Sequence, residues 1–497
     1  MNRDNTRLVF GLKVKQLRQA KQLSFSDLSA ATGVSVSYLN EIEKGKKYPK
    51  ADKIHALADA LDVDFDELVS TKLPARLQPV SDLLESRFLN DLPLDLFGIE
   101  AGKVIEIIAN SPAEVGAFIS TLTEMARNYA LQEENFYFSS LRSYQELHQN
   151  YFEEIENAVD KFVEEHKLLE KNTTVFTLSN VLKQAFGYKI DRESLATYPK
   201  LKSLRSVFVK EKKRLLINQG LTESQEIFLL AKEIGFNVLK IKDRPATSTL
   251  LDGNSFEKVL TNFKAGYFAG ALIVNQERLI SDLSSFFSKK KWDPVAFVNI
   301  MHHYKASPEM FLSRLTNLLP RFFNLHQLFF LRFKNQPGVD HFDLTKELHL
   351  QGAHHPHGNG LQEHYCRRWI TIRLLKELHQ IQESGQYTGP IVGVQRSKFI
   401  GTNDEYLCFS LARPGYPTPE TNISLTLGIL IDEQVKSKVH FWGDPNIPMH
   451  EVNNTCQRCA LENCDDRVAP RSIVEQKSEK RTLQAELEML SKKIAAN

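Results

Sequence analysis

Three cysteines near the C-terminal end of the sequence have the spacing of metal ligands. Cys456, Cys459 and Cys464 form a C-x2-C-x4-C run, and Cys366 lies upstream in the stretch EHYCRRW. Four thiolates can saturate a tetrahedral zinc ion or a [4Fe–4S] cluster. Free thiols in a loop are the other interpretation, but thiols that are exposed and so close together oxidise readily, which disfavours it. The pattern predicts a metal or cluster site at these four cysteines.

The layout of the cysteines bears on which group they hold. Three cysteines on one loop with a distant fourth are common in iron–sulfur proteins. Structural zinc sites more often use two separated CxxC pairs, and only one is present here. Cys408 alternates with apolar residues in a strand-like run, so we expect it to be a buried small hydrophobe. The loop HLQGAHHPHGNG is a second source of ligands, but its Gly and Pro content fits an exposed loop equally well; its histidines are His349, His354, His355 and His357.

A second candidate for chemistry lies on the apolar helix predicted in SQEIFLLAKEIGFNVL. Two strand-like runs, at 204–209 and 213–218, come before it, and this order resembles the ImmA/IrrE metallopeptidase fold. In that family the helix reads HExxH, where two His hold zinc and the Glu activates the bound water. Here the aligned residues are Lys232, Glu233 and Phe236, and neither Lys nor Phe can replace imidazole. We therefore predict that the fold is kept without peptidase activity.

The first seventy residues contain five short helical patterns. Ser24 followed by Asp27 has the spacing of a capping box, and Gly33 supplies a tight turn. Ser35 is placed to cap a helix over Val36–Lys44, and Pro49 is placed to open the next one. Two helices joined by a glycine turn within about twenty residues are the helix-turn-helix arrangement.

Residues 8–70 closely resemble the XRE (phage-repressor-like) family, above all in GVSVSYLNEIEKGKKYP. The resemblance implies that helix 36–44 enters the major groove of double-stranded DNA. It also implies an internal ion pair between Arg18 and Glu43, while Phe25 departs from the polar residue usual in the family. The residues implied to face the groove are Ser35, Val36, Ser37, Tyr38, Asn40 and Glu41, and those implied to reach phosphates are Lys44, Lys46 and Lys47.

Charge agrees with a local polyanion-binding surface. The net charge is only +2 over 497 residues, but residues 1–50 hold ten Lys and Arg against four acids. One basic end on a near-neutral chain is typical of a nucleic-acid-binding module, although charge runs are usually just solvated helix faces. The charged N-terminus MNRDNTRLVF is unlike a signal peptide, and no stretch approaches the roughly 18 apolar residues of a membrane helix. We therefore expect a soluble, cytoplasmic protein with no membrane partner.

The order of parts resembles the short-chain fatty-acyl-CoA-responsive regulators, a resemblance carried outside the N-terminal module by LRSYQELHQNYFEEIE, CRRW and the C-x2-C-x4-C run. It implies an acyl-CoA effector, control of acyl-CoA, propionate or glyoxylate metabolism, and a [4Fe–4S] cluster in preference to zinc. We expect a multidomain fold and a protein that is not an enzyme. Its expected parts are an all-α helix-turn-helix domain (1–71), a helical linker and dimerisation region (80–168), an α+β degenerate IrrE-like domain (170–330), an α/β sensory domain with a mostly antiparallel sheet (331–473) and a C-terminal helix (474–497).

We expect a homodimer that addresses two half-sites one DNA turn apart, about 34 Å. The C-terminal helix carries Leu483, Leu487, Leu490 and Ile494 at heptad spacing, too few for an independent coiled coil but enough to dock on the body or contribute to a dimer. Two other functions stay open from the residues alone. One is a zinc-stabilised, non-catalytic repressor or antitoxin that responds to a protein partner, and the other is an IrrE-type metallopeptidase.

Overall fold

The computed structural model describes residues 3–70, 133–168, 173–201, 203–247, 256–350, 363–417 and 420–495. The chain divides into two compact units, residues 1–144 with 253–257 and residues 145–252 with 258–497. Residues 72–79 between the first two expected parts, most of the helical region expected at 80–168, and His354, His355 and His357 lie outside the described residues. No helix in the described ranges combines the length and the apolar character that crossing a bilayer requires.

The N-terminal unit begins with the expected five helices. They are α1 (Arg3–Ala20), α2 (Phe25–Thr32), α3 (Val36–Glu43), α4 (Ala51–Leu61) and α5 (Phe65–Val69). The capping box between Ser24 and Asp27 is present, and Gly33 ends α2 in the left-handed conformation that the turn needs. Helix α4 starts two residues after Pro49, with Lys50 as its N-cap, slightly later than expected.

One apolar core holds these five helices together. Each helix contributes to it, and its fully buried members include Phe10, Val14, Leu28, Leu39, Ile42 and Leu57. Helix α1 crosses the end of α3 so closely that a Cβ at Gly11 would lie 2.1 Å from the carbonyl oxygen of Ile42. Only glycine fits at this crossing, so the position of α3 depends on it.

The second unit opens with helices and a small sheet. Helix α6 (Glu133–Leu147) belongs to the N-terminal unit as far as Tyr144, and α7 (Glu153–His166) and α8 (Val175–Phe186) follow it in the second unit. The strands β1 (Lys189–Asp191), β2 (Ser206–Val209) and β3 (Arg214–Ile217) follow. Strands β2 and β3 form the expected antiparallel hairpin, and β1 adds to β3 in parallel. The three-residue β1 was not expected, because so short a run has no clear periodicity.

A helical layer follows the small sheet. It consists of α9 (Glu223–Val238), α10 (Phe256–Ile273), α11 (Gln276–Phe287), α12 (Pro294–His303) and α13 (Pro308–Phe323). Helix α9 starts with a capping box at Thr222 and Gln225. A buried network joins α7 to α13, because Arg314 donates to both carboxylate oxygens of Glu156 at 2.5 and 2.9 Å. Tyr267 of α10 donates to the same carboxylate at 2.6 Å.

A six-stranded sheet forms the rest of the unit, in the order β5-β4-β8-β7-β6-β9. Its strands are β4 (Leu328–Asn335), β5 (Phe342–His349), β6 (Ile391–Phe399), β7 (Glu405–Pro414), β8 (Asn422–Leu430) and β9 (Met449–Val452). All neighbours are antiparallel except β6 and β9. Helix α14 (Ile370–Glu383) packs on one face. On the other face, Phe297 of α12 stacks on Phe409 of β7 with ring centroids 5.6 Å apart.

The boundary expected at 330/331 falls inside β4, which starts at Leu328. The apolar run FFNLHQLFFLRF covers both the end of α13 and the start of β4. Its first two residues follow the helical periodicity of α13 and end that helix. Two helices complete the chain, α15 (Glu433–Lys438) and α16 (Ser472–Ala495). Residues Leu483, Leu487, Leu490 and Ile494 of α16 are exposed.

Candidate nucleic-acid interface and cysteine site

Helix α3 presents most of the residues expected to face a groove. Ser35 caps it by accepting a hydrogen bond from the backbone N–H of Tyr38 at 3.3 Å. Ser35, Val36 and Ser37 are exposed, and Asn40 and Glu41 are partly exposed on the same helix. Tyr38 differs, because it packs against the core of the bundle with the ammonium of Lys53 4.4 Å above its ring. The exposed N-terminal turn of α3 is the surface that can reach base edges.

The lysines expected to reach phosphates follow this helix directly. Lys44, Lys46 and Lys47 are exposed around Gly45, which has a φ of 69°. The backbone N–H groups of Lys46 and Lys47 both donate to the carbonyl of Glu41, which ties the turn to the helix. Backbone contacts thus hold this turn beside α3, and the side chains of the three lysines extend from the surface.

Two of the ten basic residues in the first fifty serve the fold instead. Arg18 pairs with Glu43 through two hydrogen bonds of 2.6 and 2.9 Å, as the XRE resemblance implies. Its guanidinium also lies 4.2 Å over the ring of Phe25, which explains the aromatic residue at that position. The ammonium of Lys13 is buried and donates to the carbonyls of Glu67 and Ser70 at the end of α5. Burial lowers the pKa of Lys13, against the opposing effect of Glu67.

The role of Lys13 could not be read from the sequence, because a lysine on the polar side of a helix usually points into solvent. Together, the capped helix, the exposed turn and the lysines beside it define a helix-turn-helix DNA-binding domain.

The degenerate metal motif on α9 forms internal contacts. Glu233 is buried and accepts a hydrogen bond from Arg244 at 2.7 Å, and Tyr188 donates to it at 3.2 Å. The guanidinium of Arg244 lies between the rings of Phe208 and Phe236, 4.0 and 4.2 Å from their centroids. Its charge is therefore held directly beside the degenerate motif. Arg244 lies outside the motif, so the spacing gave no sign of it.

Lys232 takes the position of the first zinc ligand. Its ammonium donates to the side-chain oxygen of Asn262 at 2.5 Å. Burial lowers its pKa to about 8, and Arg244 adds to this effect while Glu233 opposes it. The metallopeptidase family has an acidic third zinc ligand, which by resemblance falls near Lys264, and Lys264 lies on α10. A site with a lysine, a phenylalanine and an arginine-bound glutamate has no donor set for zinc.

The four cysteines singled out by their spacing meet at one cavity. Cys366, Cys456, Cys459 and Cys464 all line it, with about 290 Å³ of empty space counting its opening to solvent. The first three are buried and Cys464 is partly exposed. Cys366 precedes α14, and the other three follow β9, so the fold joins segments about ninety residues apart.

Backbone contacts hold the two cysteine segments together. Cys366 donates its N–H to the carbonyl of Asn454 at 3.2 Å, and Cys456 donates to the carbonyl of His364 at 2.8 Å. Arg467 donates to the carbonyl of Cys456 at 2.9 Å, and Arg368 pairs with Asp466 at 3.1 Å. These contacts join the segment before α14 to the segment after β9.

Burial and nearby backbone N–H groups act in opposite directions on the pKa of the thiol of Cys366. Burial raises the pKa of Cys366 to about 11, partly offset by backbone N–H groups of Asn453 and Arg368 that point at its sulfur. Such a thiol binds metal only by losing its proton, and N–H bonds to sulfur stabilise the thiolate. In the ranges that the structure covers, no three His, Cys, Asp or Glu side chains stand around one ion-sized point.

The remaining sulfur and histidine candidates lie elsewhere. Cys408 is buried in β7, as expected, and burial raises its pKa to about 12. His349 ends β5, where its Nε2 lies 3.7 Å from a carboxylate oxygen of Glu347.

Comparison with known proteins identifies two of the expected domains. Residues 14–68 match the helix-turn-helix family, and residues 184–316 match the IrrE N-terminal-like domain family. The uncharacterized HTH-type transcriptional regulator YazB of Bacillus subtilis is 37% identical over 60 residues, which are 12% of this chain and 87% of that protein. The uncharacterized HTH-type transcriptional regulator y4dJ of Sinorhizobium fredii is 34% identical over 64 residues, 13% of this chain and 83% of that protein.

The chain therefore belongs to the HTH-type transcriptional regulators and carries an IrrE-like domain behind its DNA-binding domain. A transcriptional regulator from Mycobacterium tuberculosis is also similar in structure. It has a TM-score of 0.47 and 15% identity, and the alignment covers 67% of this chain and 94% of that chain.

Proposed function

We propose that this DNA-binding regulator acts in the cytoplasm as a homodimer whose second unit senses a short-chain acyl-CoA and holds a [4Fe–4S] cluster. The exposed, capped helix α3 with its flanking lysines is the observation that carries the DNA-binding part. The cysteine cavity carries the cluster part. The effector class rests on the resemblance to acyl-CoA-responsive regulators.

On DNA, we assign base-edge contacts to the N-terminal turn of α3. Ser35, Val36 and Ser37 start that turn, and Asn40 and Glu41 continue its exposed face. An amide such as that of Asn40 can pair with adenine through two hydrogen bonds. Lys44, Lys46 and Lys47 neutralise phosphates, which sets affinity and salt dependence without reading sequence. Tyr38 contributes less, because its ring packs on the bundle.

The cluster would be held by Cys366, Cys456, Cys459 and Cys464. Its charge would change with redox state, and it would link the start of α14 to the segment after β9. The CRRW stretch supports this placement, because its side chains connect the cavity to the sheet domain. Trp369 donates to the carbonyl of Asn453 at 2.8 Å, Arg367 pairs with Asp340 at 2.8 Å, and Arg368 pairs with Asp466.

The other stretch that carries the resemblance supports the architecture of the sensing unit. Asn150 and Glu156, both within LRSYQELHQNYFEEIE, are buried and bond to α13 through Thr316 and Arg314. A charge buried in this way is strongly disfavoured without its partner. The stretch thus fixes α7 against the helical layer.

Dimerisation is assigned to α16. Leu483, Leu487, Leu490 and Ile494 form an exposed apolar stripe on this 24-residue helix. Exposed apolar stripes of this spacing are stable only when another helix covers them. Pairing of two α16 helices would supply one seam of the dimer.

Two measurements test this function. Duplexes selected from a random pool with the full chain should shift in gels, and addition of propionyl-CoA should change their affinity. Unchanged affinity with every short-chain acyl-CoA would remove the sensor while leaving DNA binding in place. Protein purified without oxygen should be brown with broad absorption, and a colourless, zinc-containing preparation would replace the cluster with zinc.

A further inference from the structure

Three cations lie on one face of the six-stranded sheet. Lys346 of β5 is paired directly opposite Arg332 of β4. Arg332 is opposite Leu425 of β8, which is in turn opposite Leu411 of β7, and Arg413 is two residues further along β7. Because residues two apart share a face, Lys346, Arg332 and Arg413 all point to the side covered by α12 and α13.

A single carboxylate stands among them. Glu309, in the first turn of α13, lies with its carboxylate oxygens 3.5 Å from Nε of Arg332 and 3.5 Å from Nζ of Lys346. Burial would raise the pKa of Glu309, but Lys346, Arg332, Arg205 and Arg413 outweigh it and hold the pKa at about 2. Four cations therefore act on one carboxylate, and Arg205, in the segment before β2, does so through its charge.

The cations are incompletely paired. Nε of Arg413 is buried and has no hydrogen-bond partner among the described residues, and Nε of Arg332 has only the ion pair with Glu309, without a hydrogen bond of good geometry. Arg413 is 8% exposed, and the side-chain hydrogen bond that it makes within the described ranges goes to the carbonyl of Pro414. Burial lowers the pKa of both Arg205 and Arg413. A buried guanidinium N–H without an acceptor costs free energy that an anionic ligand would recover.

The degenerate metal motif borders this group. The lowered pKa of Lys232 has contributions from Arg205 and Lys346, so the three charges lie within electrostatic range of one another. The helix that binds a cation in metallopeptidases here adds a positive charge to a cationic neighbourhood. The charge preference of the region is the reverse of that of a zinc site.

We propose that Arg205, Arg332, Lys346 and Arg413 form an anion-binding site for a small molecule with phosphate or carboxylate groups. The guanidinium fork matches both groups through paired hydrogen bonds. Three charges in excess over Glu309 favour a ligand with more than one negative charge. This site goes beyond the proposed function, since it depends neither on DNA binding nor on the cysteines.

Calorimetric titration of the full-length chain with inorganic pyrophosphate and, separately, with citrate tests the site. One saturable site is expected for at least one of them, and the tighter of the two identifies the ligand as phosphate- or carboxylate-bearing. Arg205→Gln should weaken that binding by about tenfold or more, the loss expected for one charge-assisted contact. Lys210→Gln removes an equal charge from an exposed position and should leave binding unchanged.

Glu309→Gln separates a ligand site from a structural cluster. Removing the carboxylate that competes with the ligand should tighten anion binding severalfold. Without anion, the variant should unfold at a lower temperature than the original chain. Pyrophosphate should then raise the unfolding temperature of Glu309→Gln more than that of the original chain. Absence of saturable binding to both anions, equal effects of Arg205→Gln and Lys210→Gln, or weaker binding by Glu309→Gln would each overturn the proposal. These experiments do not measure DNA affinity, so a negative result for the anion site would not contradict the DNA-binding function.

Discussion

The N-terminal bundle and the IrrE-like domain each contain a helix at which their relatives carry out their function, and each helix is fixed by an arginine–glutamate pair. In the bundle, Arg18 holds Glu43 at the end of α3, away from the exposed N-terminal turn. In the IrrE-like domain, Arg244 holds Glu233 itself, the residue that would activate water. The same contact therefore positions a functional surface in one region and occupies it in the other.

A resemblance in a family motif therefore extends to function only where the residues of the motif stay accessible on their helix. The polar residues of α3 lie on the surface, so the resemblance of the bundle extends to its DNA-binding function. The residues of α9 at the motif are buried or bonded internally, so the resemblance there extends to the fold.

The largest effect is expected from closing the helix crossing in the bundle. Gly11→Ala places a Cβ 2.1 Å from the carbonyl oxygen of Ile42, and this backbone atom has no room to move. We expect a loss of about 3 kcal/mol or more in the stability of the bundle, at the upper end of overpacking effects, together with loss of DNA binding. Calorimetry would show the bundle transition lowered and that of the second unit unchanged. Gly33→Ala, where nothing lies within 4 Å of the added Cβ but φ is 66°, is the control and should cost only about 1 kcal/mol.

A charge change in the second region should separate its fold from DNA binding. Glu233→Gln leaves Arg244 buried without its counter-charge and should destabilise the second unit by about 3 kcal/mol. Glu226→Gln breaks the more exposed pair with Arg192 and should cost less than about 1 kcal/mol. Chemical denaturation gives both values. A large loss of DNA affinity by Glu233→Gln under folding conditions would contradict the separation of the two regions.

Single phosphate contacts should have a moderate effect that is the same for all sequences. Lys47→Gln should weaken binding to every duplex and reduce the slope of log K against log salt by about 1. Lys436→Gln, an exposed lysine of α15, should leave the slope unchanged. Anisotropy titrations at several salt concentrations measure this slope. An unchanged slope in Lys47→Gln would show that this lysine makes no phosphate contact.

The smallest effect concerns pH and Lys232. Its pKa is about 8 in the folded chain, below the 10.5 of an unperturbed lysine, so its charge disfavours the folded state below pH 8. This cost is relieved as the pH rises from about 8 to 10.5. Lys232→Met should therefore be more stable than the original chain at pH 7, and the advantage should shrink toward pH 10. Denaturation at both pH values checks the sign, and an advantage that grows with pH would contradict it.

Local patterns predicted the bundle well because each signal acts over a few residues. Ser24, Asp27, Gly33 and Ser35 form the caps and turn that their types and spacing indicate. The antiparallel hairpin of β2 and β3 followed from two adjacent apolar runs in the same way.

Contacts between distant segments were harder to predict. The spacing of three cysteines indicated a site, but nothing local tied Cys366 to them, and the fold brings them together through the Tyr365–Thr455 bridge. Arg205 and Arg413 are over two hundred residues apart, and Arg244 lies eleven residues from Glu233 beyond the motif. Only the folded chain places these charges together.

The account depends most on α3 entering duplex DNA, and competition binding with selected duplexes tests this directly. At moderate salt, the full chain should prefer its selected duplex over random competitor by at least about 10³. Asn40→Ala should reduce this preference by about 1–3 kcal/mol while leaving binding to random DNA unchanged. The absence of any preference in the original chain, or equal loss on selected and random DNA in Asn40→Ala, would contradict the assignment of α3 as the recognition helix.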